Sequence, residues 1–353
     1  MTDINYSLKN IEFRWDEVDC FLRPQTLICN NLLQGCGSVF LFLTLAFRSH
    51  GIQDFFTEKS YFVFLKEIIE YKIPLKFEIK YFEEVNSIFE SLVQDTTQNK
   101  TLIIPSNIKN YEFFKYYRQK DWEHYFIINN ADLTRSLFFI RDHLHLDDKN
   151  THTQYENFNM PFSTMKSILQ DYYLVYVGEN NKKIKTFHNE NKLWTLEIAL
   201  NDGAIILDEI ELCEMVIALY LDISRQIKHG VDEVQCNRIK KIYVPTMDFE
   251  RLNFLIKTYM KEINFYRTYH KILAYAIRGI SQNLFVKLEG IYKEFNYKSN
   301  LIREELFLKM VKKIYIHDDE LTDYQQKIFN LDYAYRNYVV EKLLDGKHFL
   351  ENS

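Results

Sequence analysis

The chain has 353 residues, of which 47% are hydrophobic and 26% are charged, as in an ordinary globular protein large enough for two domains. Only 9 glycines and 5 prolines argue against a disordered or turn-rich architecture. The formal net charge of −5 lacks the basic excess that nucleic-acid binding needs, so we expect no nucleic-acid partner.

The N-terminus, the apolar runs and the cysteines indicate a cytoplasmic protein. Residues 1–5 are polar and begin no basic segment followed by an apolar one, so no secretory signal is evident. The most apolar run, residues 39–47, is too short to cross a membrane. Five cysteines, an odd number at irregular spacing, favour reduced thiols. We expect no contact with a membrane.

Apolar periodicity in the first half of the chain predicts helices that precede an antiparallel sheet. The helical segments are residues 20–34, 39–47, 61–71, 87–93 and 162–172. The strand segments are residues 75–79, 101–105, 124–128 and 137–142. Residues 147–160 are polar and predict a loop. Helices followed by strands are typical of an α+β arrangement.

The second half of the chain predicts long helices. It follows an Asn- and Lys-rich stretch at residues 179–192, which we interpret as a linker or an exposed hairpin. Helical periodicity then covers residues 208–228, 247–280, 284–295, 301–315 and 321–344. We therefore expect one domain over residues 1–180 and a mainly helical domain over residues 181–353.

Cys20 is the candidate nucleophile. An acidic segment, Asp16-Glu17-Val18-Asp19, precedes it and suits the start of a helix. Pro24 is tolerated only near the first turn of a helix, so the helix should begin close to Cys20. Backbone N–H groups at a helix start lower the pKa of a thiol and stabilise an oxyanion.

The other cysteines fit a nucleophile less well. Cys29 falls in mid-helix among apolar neighbours, which is typical of an inert buried thiol. Cys213 and Cys236 lie in the helical half without nearby partners.

His124 and Asp142 are the candidate base and its orienting carboxylate. His124 begins an apolar strand, and Asp142 ends the next strand after a polar turn at residues 129–132. In an antiparallel hairpin the start of one strand faces the end of the other, so the two residues should come close. An imidazole can take the proton of a thiol, and a carboxylate can hold that imidazole in one tautomer. The alternative is a surface histidine and an unrelated aspartate; Asp132, at the far end of the hairpin, fits the role less well.

A metal site is a competing interpretation for the histidines that follow Asp142. His143 and His145 share one face of an extended segment, beside Asp147 and Asp148. A single His-x-His without a third well-placed ligand is weak evidence for zinc, so we predict no bound metal.

The chain resembles a known family through three segments. They are Asp19-Cys20-Phe21 before an apolar helix, His124-Tyr125-Phe126-Ile127-Ile128 before a turn, and the strand that ends in Asp142. They resemble the papain-like cysteine-protease fold and, within it, the butirosin-biosynthesis acyltransferases of the BtrH type. The likeness covers about residues 1–180 by motif and the remainder by helical character only.

The resemblance implies a papain-like catalytic domain with N-terminal helices packed on an antiparallel sheet, and a helical C-terminal domain. It also implies that Cys20, His124 and Asp142 form a triad for ping-pong acyl transfer in secondary-metabolite biosynthesis. Two features depart from the papain pattern. Arg14 stands where papain-like enzymes have an oxyanion-hole glutamine, which leaves the Cys20 backbone N–H as candidate donor. Gly35-Cys36-Gly37 resembles the segment before the papain nucleophile, but Val39 occupies the matching position.

The favoured expectation is an amide synthase. An acyl group would pass from a carrier-protein thioester to Cys20 and then to a small amine or diamine, with the phosphopantetheine arm of the carrier as substrate and no bound cofactor. Residues 237–283 hold nine Lys or Arg and three Asp or Glu, which would suit an acidic carrier domain, or else form a solvated helix face. An intracellular papain-like cysteine peptidase or hydrolase is the main alternative, and a non-catalytic interaction protein is the third.

Overall fold

The computed structural model describes residues 7–11, 18–50, 58–111, 118, 121, 123–143, 155–177, 192–227, 249–314, 316 and 318–350. The chain divides into two compact units. The sheet unit comprises residues 13–40 and 54–206, and the helical unit comprises residues 1–12, 41–53 and 207–353.

In the described part of the sheet unit, six strands join one antiparallel sheet. They are β1 (Leu75–Phe82), β2 (Leu102–Asn107), β3 (Glu123–Asp132), β4 (Leu137–His143), β5 (Tyr155–Pro161) and β6 (Leu193–Leu200). Their order across the sheet is β1-β6-β2-β3-β4-β5, and every neighbouring pair is antiparallel. The predicted α+β class with an antiparallel sheet is therefore confirmed.

The helices of the first 180 residues follow the predicted order. They are α1 (Leu22–Leu32), α2 (Cys36–His50), α3 (Glu58–Phe64), α4 (Glu70–Lys72), α5 (Val85–Thr97) and α6 (Phe162–Tyr172). A π-helical turn, Leu65–Ile69, joins α3 to α4, and a second one, Tyr173–Val177, follows α6. Helix α2 passes from the sheet unit into the helical unit at residue 41.

Two of the strands were not expected. The predicted loop at residues 147–160 was wrong for its second part, which forms β5. This strand lies at the sheet edge with Glu156, Asn157 and Asn159 exposed, so its composition is polar although Met160 packs in the core. Strand β6 pairs with both β1 and β2, so it belongs to the sheet although the expected boundary lay before it, at residue 180.

Apolar side chains cover both faces of the sheet. On one face Ile88 and Ile168, from α5 and α6, join a core that includes Ile104, Phe126 and Ile140.

On the other face Phe21, just before α1, packs edge-on against Tyr125 at 4.9 Å between ring centroids. Trp194 of β6 stacks on Tyr125 at 5.9 Å and meets Phe62 of α3 at 5.7 Å. The start of α1 is therefore fixed against the N-terminal end of β3.

Among the described residues after 207, the helical unit contains four long helices. They are α7 (Glu209–Ile227), α8 (Phe249–Ile280), α9 (Gln282–Val311) and α10 (Asp318–Leu350). Two predicted helices, at residues 284–295 and 301–315, form the single helix α9, because no glycine or proline interrupts residues 296–300. Ser281 separates α8 from α9, and its hydroxyl accepts a hydrogen bond from the Leu284 N–H at 3.2 Å.

Several predicted features lie outside the described residues. They are the polar N-terminus at 1–5, Arg14, residues 144–154, the Asn- and Lys-rich stretch up to 191, Cys236 and the first part of the basic segment, up to residue 248. Across the part of the chain that is described, no helix combines the length and apolar character that a membrane crossing requires.

Candidate functional site

His124 and Asp142 form a buried pair on one face of the sheet. The His124 Nε2 atom lies 2.9 Å from Asp142 Oδ1 and 3.0 Å from Oδ2. Both side chains have 0% exposure. In β2, Ser106 lies opposite His124, and its hydroxyl donates to the His124 carbonyl oxygen at 3.0 Å. His124 and Asp142 are therefore held in place by the neighbouring strands and by their contact with each other.

A bulge in the β3–β4 hairpin makes this pairing possible. Near the turn Asp132 lies opposite Leu137, but the register shifts by one residue between Ile128 and Asn130. If the turn register continued unchanged, Asp142 would lie opposite Ile127 and share a face with Tyr125. The shift instead places Asp142 opposite Phe126, on the same face as His124.

The contact with Asp142 fixes the form of the imidazole. A carboxylate accepts hydrogen bonds, so Nε2 carries the proton and Nδ1 carries the lone pair. Nδ1 is therefore the ring nitrogen that can accept a proton, and Asp142 would stabilise the imidazolium that results. Tyr111 lies near this pair. Burial, and then the charge of Asp142, raise the pKa of its phenol.

Cys20 lies at the capped start of α1. The Asp19 carboxylate accepts from the backbone N–H groups of Phe21 and Leu22, at 3.2 and 2.9 Å. The first helical backbone bond runs from the Arg23 N–H to the Asp19 carbonyl, at 3.1 Å. Asp19 is thus the capping residue and Cys20 the first residue of the helical turn that follows it. Pro24 falls in the first turn, as predicted.

Burial distinguishes Cys20 from the other described cysteines. Cys20 is partly exposed, whereas Cys29, Cys36 and Cys213 are buried. Burial raises the pKa of the Cys36 thiol to about 11 and, with the charge of Glu209, that of Cys213 to about 12. Burial and then the proximity of Cys36 raise the pKa of Cys29 well above its usual value. A thiolate is disfavoured at these three positions.

Tyr125 links the Cys20 helix to the strand that carries His124. The Tyr125 hydroxyl donates to Glu123 Oε1 at 2.8 Å. Burial, then the charge of Glu123, and to a smaller extent the proximity of Tyr172 and Cys20, raise the pKa of the Tyr125 phenol well above its usual value. Cys20 therefore lies near that phenol.

The structure thus brings His124 and Asp142 into direct contact and brings Cys20 to Tyr125, the next residue of β3. Side chains alternate along a strand, so His124 and Tyr125 point to opposite faces. Phe21 packs on the Tyr125 face, and Asp142 lies on the His124 face.

Two further polar side chains, Glu123 and Gln25, were not identified from the sequence. Glu123 Oε1 accepts from Tyr172 at 3.1 Å as well as from Tyr125. The buried Gln25 donates to the Phe21 carbonyl at 2.9 Å and accepts from the Tyr61 hydroxyl at 2.8 Å. Gln25 is thereby engaged within the core, so the Cys20 backbone N–H remains the candidate oxyanion donor.

Metal ligands are not grouped in the part of the chain that the structure describes. No three His, Cys, Asp or Glu side chains there lie close enough together to hold a metal ion. His145, Asp147 and Asp148, with the side chain of His143, are outside that part.

Comparison with known proteins adds no further constraint. No protein-family model matches this sequence, and a search of curated proteins finds no match. The functional conclusion therefore rests on the residues and geometry of the site.

Proposed function

We propose that this protein is a thiol acyltransferase that forms amides. The acyl group moves from a carrier-protein thioester to Cys20 and then to a small amine. The observation that carries the proposal is the buried His124–Asp142 contact at the start of β3. Phe21 packs on the opposite face of that strand, so the proposal requires the Cys20 thiol to reach His124 around the end of β3. A cytoplasmic location, expected from the sequence, suits such a carrier substrate.

In the first half-reaction, Cys20 attacks the carbonyl carbon of the thioester. The thiol proton passes to His124 Nδ1, and the Asp142 carboxylate stabilises the imidazolium through Nε2. A bond forms between Cys20 Sγ and the carbonyl carbon, and the bond to the carrier sulfur breaks. The departing phosphopantetheine thiolate takes the proton back from His124, leaving acyl-Cys20.

In the second half-reaction an amine resolves acyl-Cys20. The amine nitrogen attacks the carbonyl carbon while His124 accepts its proton. The carbon–nitrogen bond forms, the carbon–sulfur bond breaks, and the proton returns to the Cys20 thiolate. An unprotonated amine is required, so the rate should rise with pH until the amine is fully deprotonated.

Two features support a transferase. Bulky rings (Phe21, Tyr125 and Trp194) pack around the start of the Cys20 helix, and such apolar surroundings favour an organic acceptor over water. On α8 Lys261 is exposed and Lys271 is partly exposed, and such cations would suit an acidic carrier domain. A cysteine peptidase or hydrolase would need the same triad and is the rival that the experiment must separate.

Intact-protein mass spectrometry with acyl-carrier thioesters tests the proposal. The wild type should gain the mass of the acyl group, and Cys20→Ala should not. Cys36→Ala is the matched control, because Cys36 is buried; it should load normally once its folding is verified. Loading that survives in Cys20→Ala would refute the proposal. After loading, predominant release of free acid at millimolar amine, across several amines, would assign a hydrolase.

A further inference from the structure

The helical unit contains a buried polar cluster that the proposed reaction does not use. We call it the Asp332 cluster. Its members come from three helices: Tyr220 on α7, Tyr269 and His270 on α8, and Asp332, Tyr335 and Arg336 on α10. Each is at most 2% exposed, so an aspartate and an arginine lie in the protein interior. Buried charges are unfavourable unless they are paired and hydrogen-bonded.

Asp332 is the acceptor at the centre of the cluster. Its Oδ1 atom accepts from the Tyr269 hydroxyl and from His270 Nε2, the latter at 2.7 Å. Arg336 lies one helical turn further along α10, with Nε 3.7 Å from Asp332 Oδ2. Burial lowers the pKa of His270, so its imidazole is neutral, with the proton on Nε2 and the lone pair on Nδ1.

Other polar atoms of the cluster have no hydrogen-bond partner among the residues that the structure describes, although Arg336 Nε is ion-paired with Asp332. They are Nε and Nη2 of Arg336, Nδ1 of His270 and the hydroxyl of Tyr220. Nε and Nη2 form one edge of the planar guanidinium, whose two parallel N–H bonds match the two oxygens of a carboxylate. The Tyr220 hydroxyl supplies a further donor.

We propose that the Asp332 cluster is a binding site for a small carboxylate. The two carboxylate oxygens accept from Nε and Nη2 of Arg336, and the Tyr220 hydroxyl donates to one of them. The ligand must be small, because every member of the cluster is at most 2% exposed. Asp332 competes for the same guanidinium, so binding should need millimolar concentrations.

Thermal unfolding of the full chain in formate or acetate tests this site, with chloride at equal ionic strength as the reference. A ligand that binds only the folded state raises Tm as its concentration increases. We expect a saturable rise in formate and acetate, and a loss of apparent affinity of at least about tenfold in Arg336→Lys, which lacks the two-pronged edge.

Arg267→Lys is the matched control. Arg267 lies on α8 in the same unit, but its guanidinium donates to Asn296 and Asn300. This variant should keep the wild-type response. If Arg336→Lys does not fold, Tyr220→Phe serves instead, because it removes one donor and keeps the ring; it should weaken binding several-fold.

Three results would overturn the proposal. One is a response to formate and acetate no greater than that to chloride. The second is an unchanged response in Arg336→Lys and Tyr220→Phe. The third is a crystal structure grown in formate in which the Arg336 edge pairs with Asp332 and no solute lies on it, whereas density for formate on that edge would support the site.

Discussion

Replacement of Asp142 tests the chemical role of the His124–Asp142 contact. In Asp142→Ala both acceptors of the Nε2 proton are lost, and the imidazole is freed to change tautomer. In related triads such losses lower the rate of the chemical step by about 10²-fold to 10⁴-fold. We expect a decrease of that size in the first-order rate of Cys20 acylation. Asp142→Asn should be milder, because an amide oxygen can still accept from Nε2.

The same replacement should also destabilise the fold. Asp142 and His124 have 0% exposure, so Asp142→Ala leaves a buried imidazole N–H without its acceptor. A buried donor that loses its partner lowers the free energy of unfolding by about 1–3 kcal/mol. The loss in acylation must therefore be measured where the variant is fully folded, well below its transition in urea.

Rapid-quench mass spectrometry at saturating acyl-carrier thioester gives the acylation rate directly. Asp95→Asn is a suitable control, because Asp95 is a second buried carboxylate of the sheet unit, paired with Lys80 at 2.6 Å. It should lose stability without losing acylation. An Asp142→Ala variant that acylates at the wild-type rate would show that another residue orients His124.

Three further predictions concern His124, the cysteines and His270. His124→Ala should lose acylation while keeping its far-UV circular dichroism; normal acylation would exclude His124 as the base. Iodoacetamide at pH 8 should label Cys20 in the folded protein and spare Cys36 and Cys213, whose thiol pKa values are raised to about 11 and 12; peptide mapping that finds the reverse order of labelling would contradict the assignment. Burial lowers the pKa of His270, so below about pH 6.5 the unfolded chain binds a proton that the folded protein does not. The His270 contribution to stability should be complete above that pH and decrease as the pH falls; urea unfolding should show a smaller acid loss in His270→Gln, and an equal loss would contradict the prediction.

The extent of the sheet could be predicted only in part. Alternating or continuous apolar residues predict strands β1 to β4. The predicted hairpin places His124 and Asp142 at its open end. Strand β5 was missed because an edge strand can expose polar side chains. Strand β6 carries a local signal that the prediction overlooked, because Trp194, Leu196 and Ile198 alternate with less apolar residues. Its pairing with β1 and β2, about a hundred residues earlier, leaves no local signal.

The candidate site shows the same division between local and distant causes. The start of α1 follows from Asp19 and Pro24, which act within one helical turn. The bulge between Ile128 and Asn130 does not, because no glycine marks it and its register depends on packing against neighbouring strands. The contacts of Glu123 with Tyr125 and Tyr172 join β3 to α6, so they also require the folded chain.

The position of β6 between β1 and β2 governs the order in which this protein can fold on the ribosome. Both flanking strands are complete once residue 107 has been made, but the strand that joins them ends at residue 200. During that interval one edge of each flanking strand lacks its final neighbour, and exposed edges are templates for pairing with other chains. Chains that terminate before residue 193 should therefore aggregate or require a chaperone, whereas those that extend past residue 200 can close the sheet.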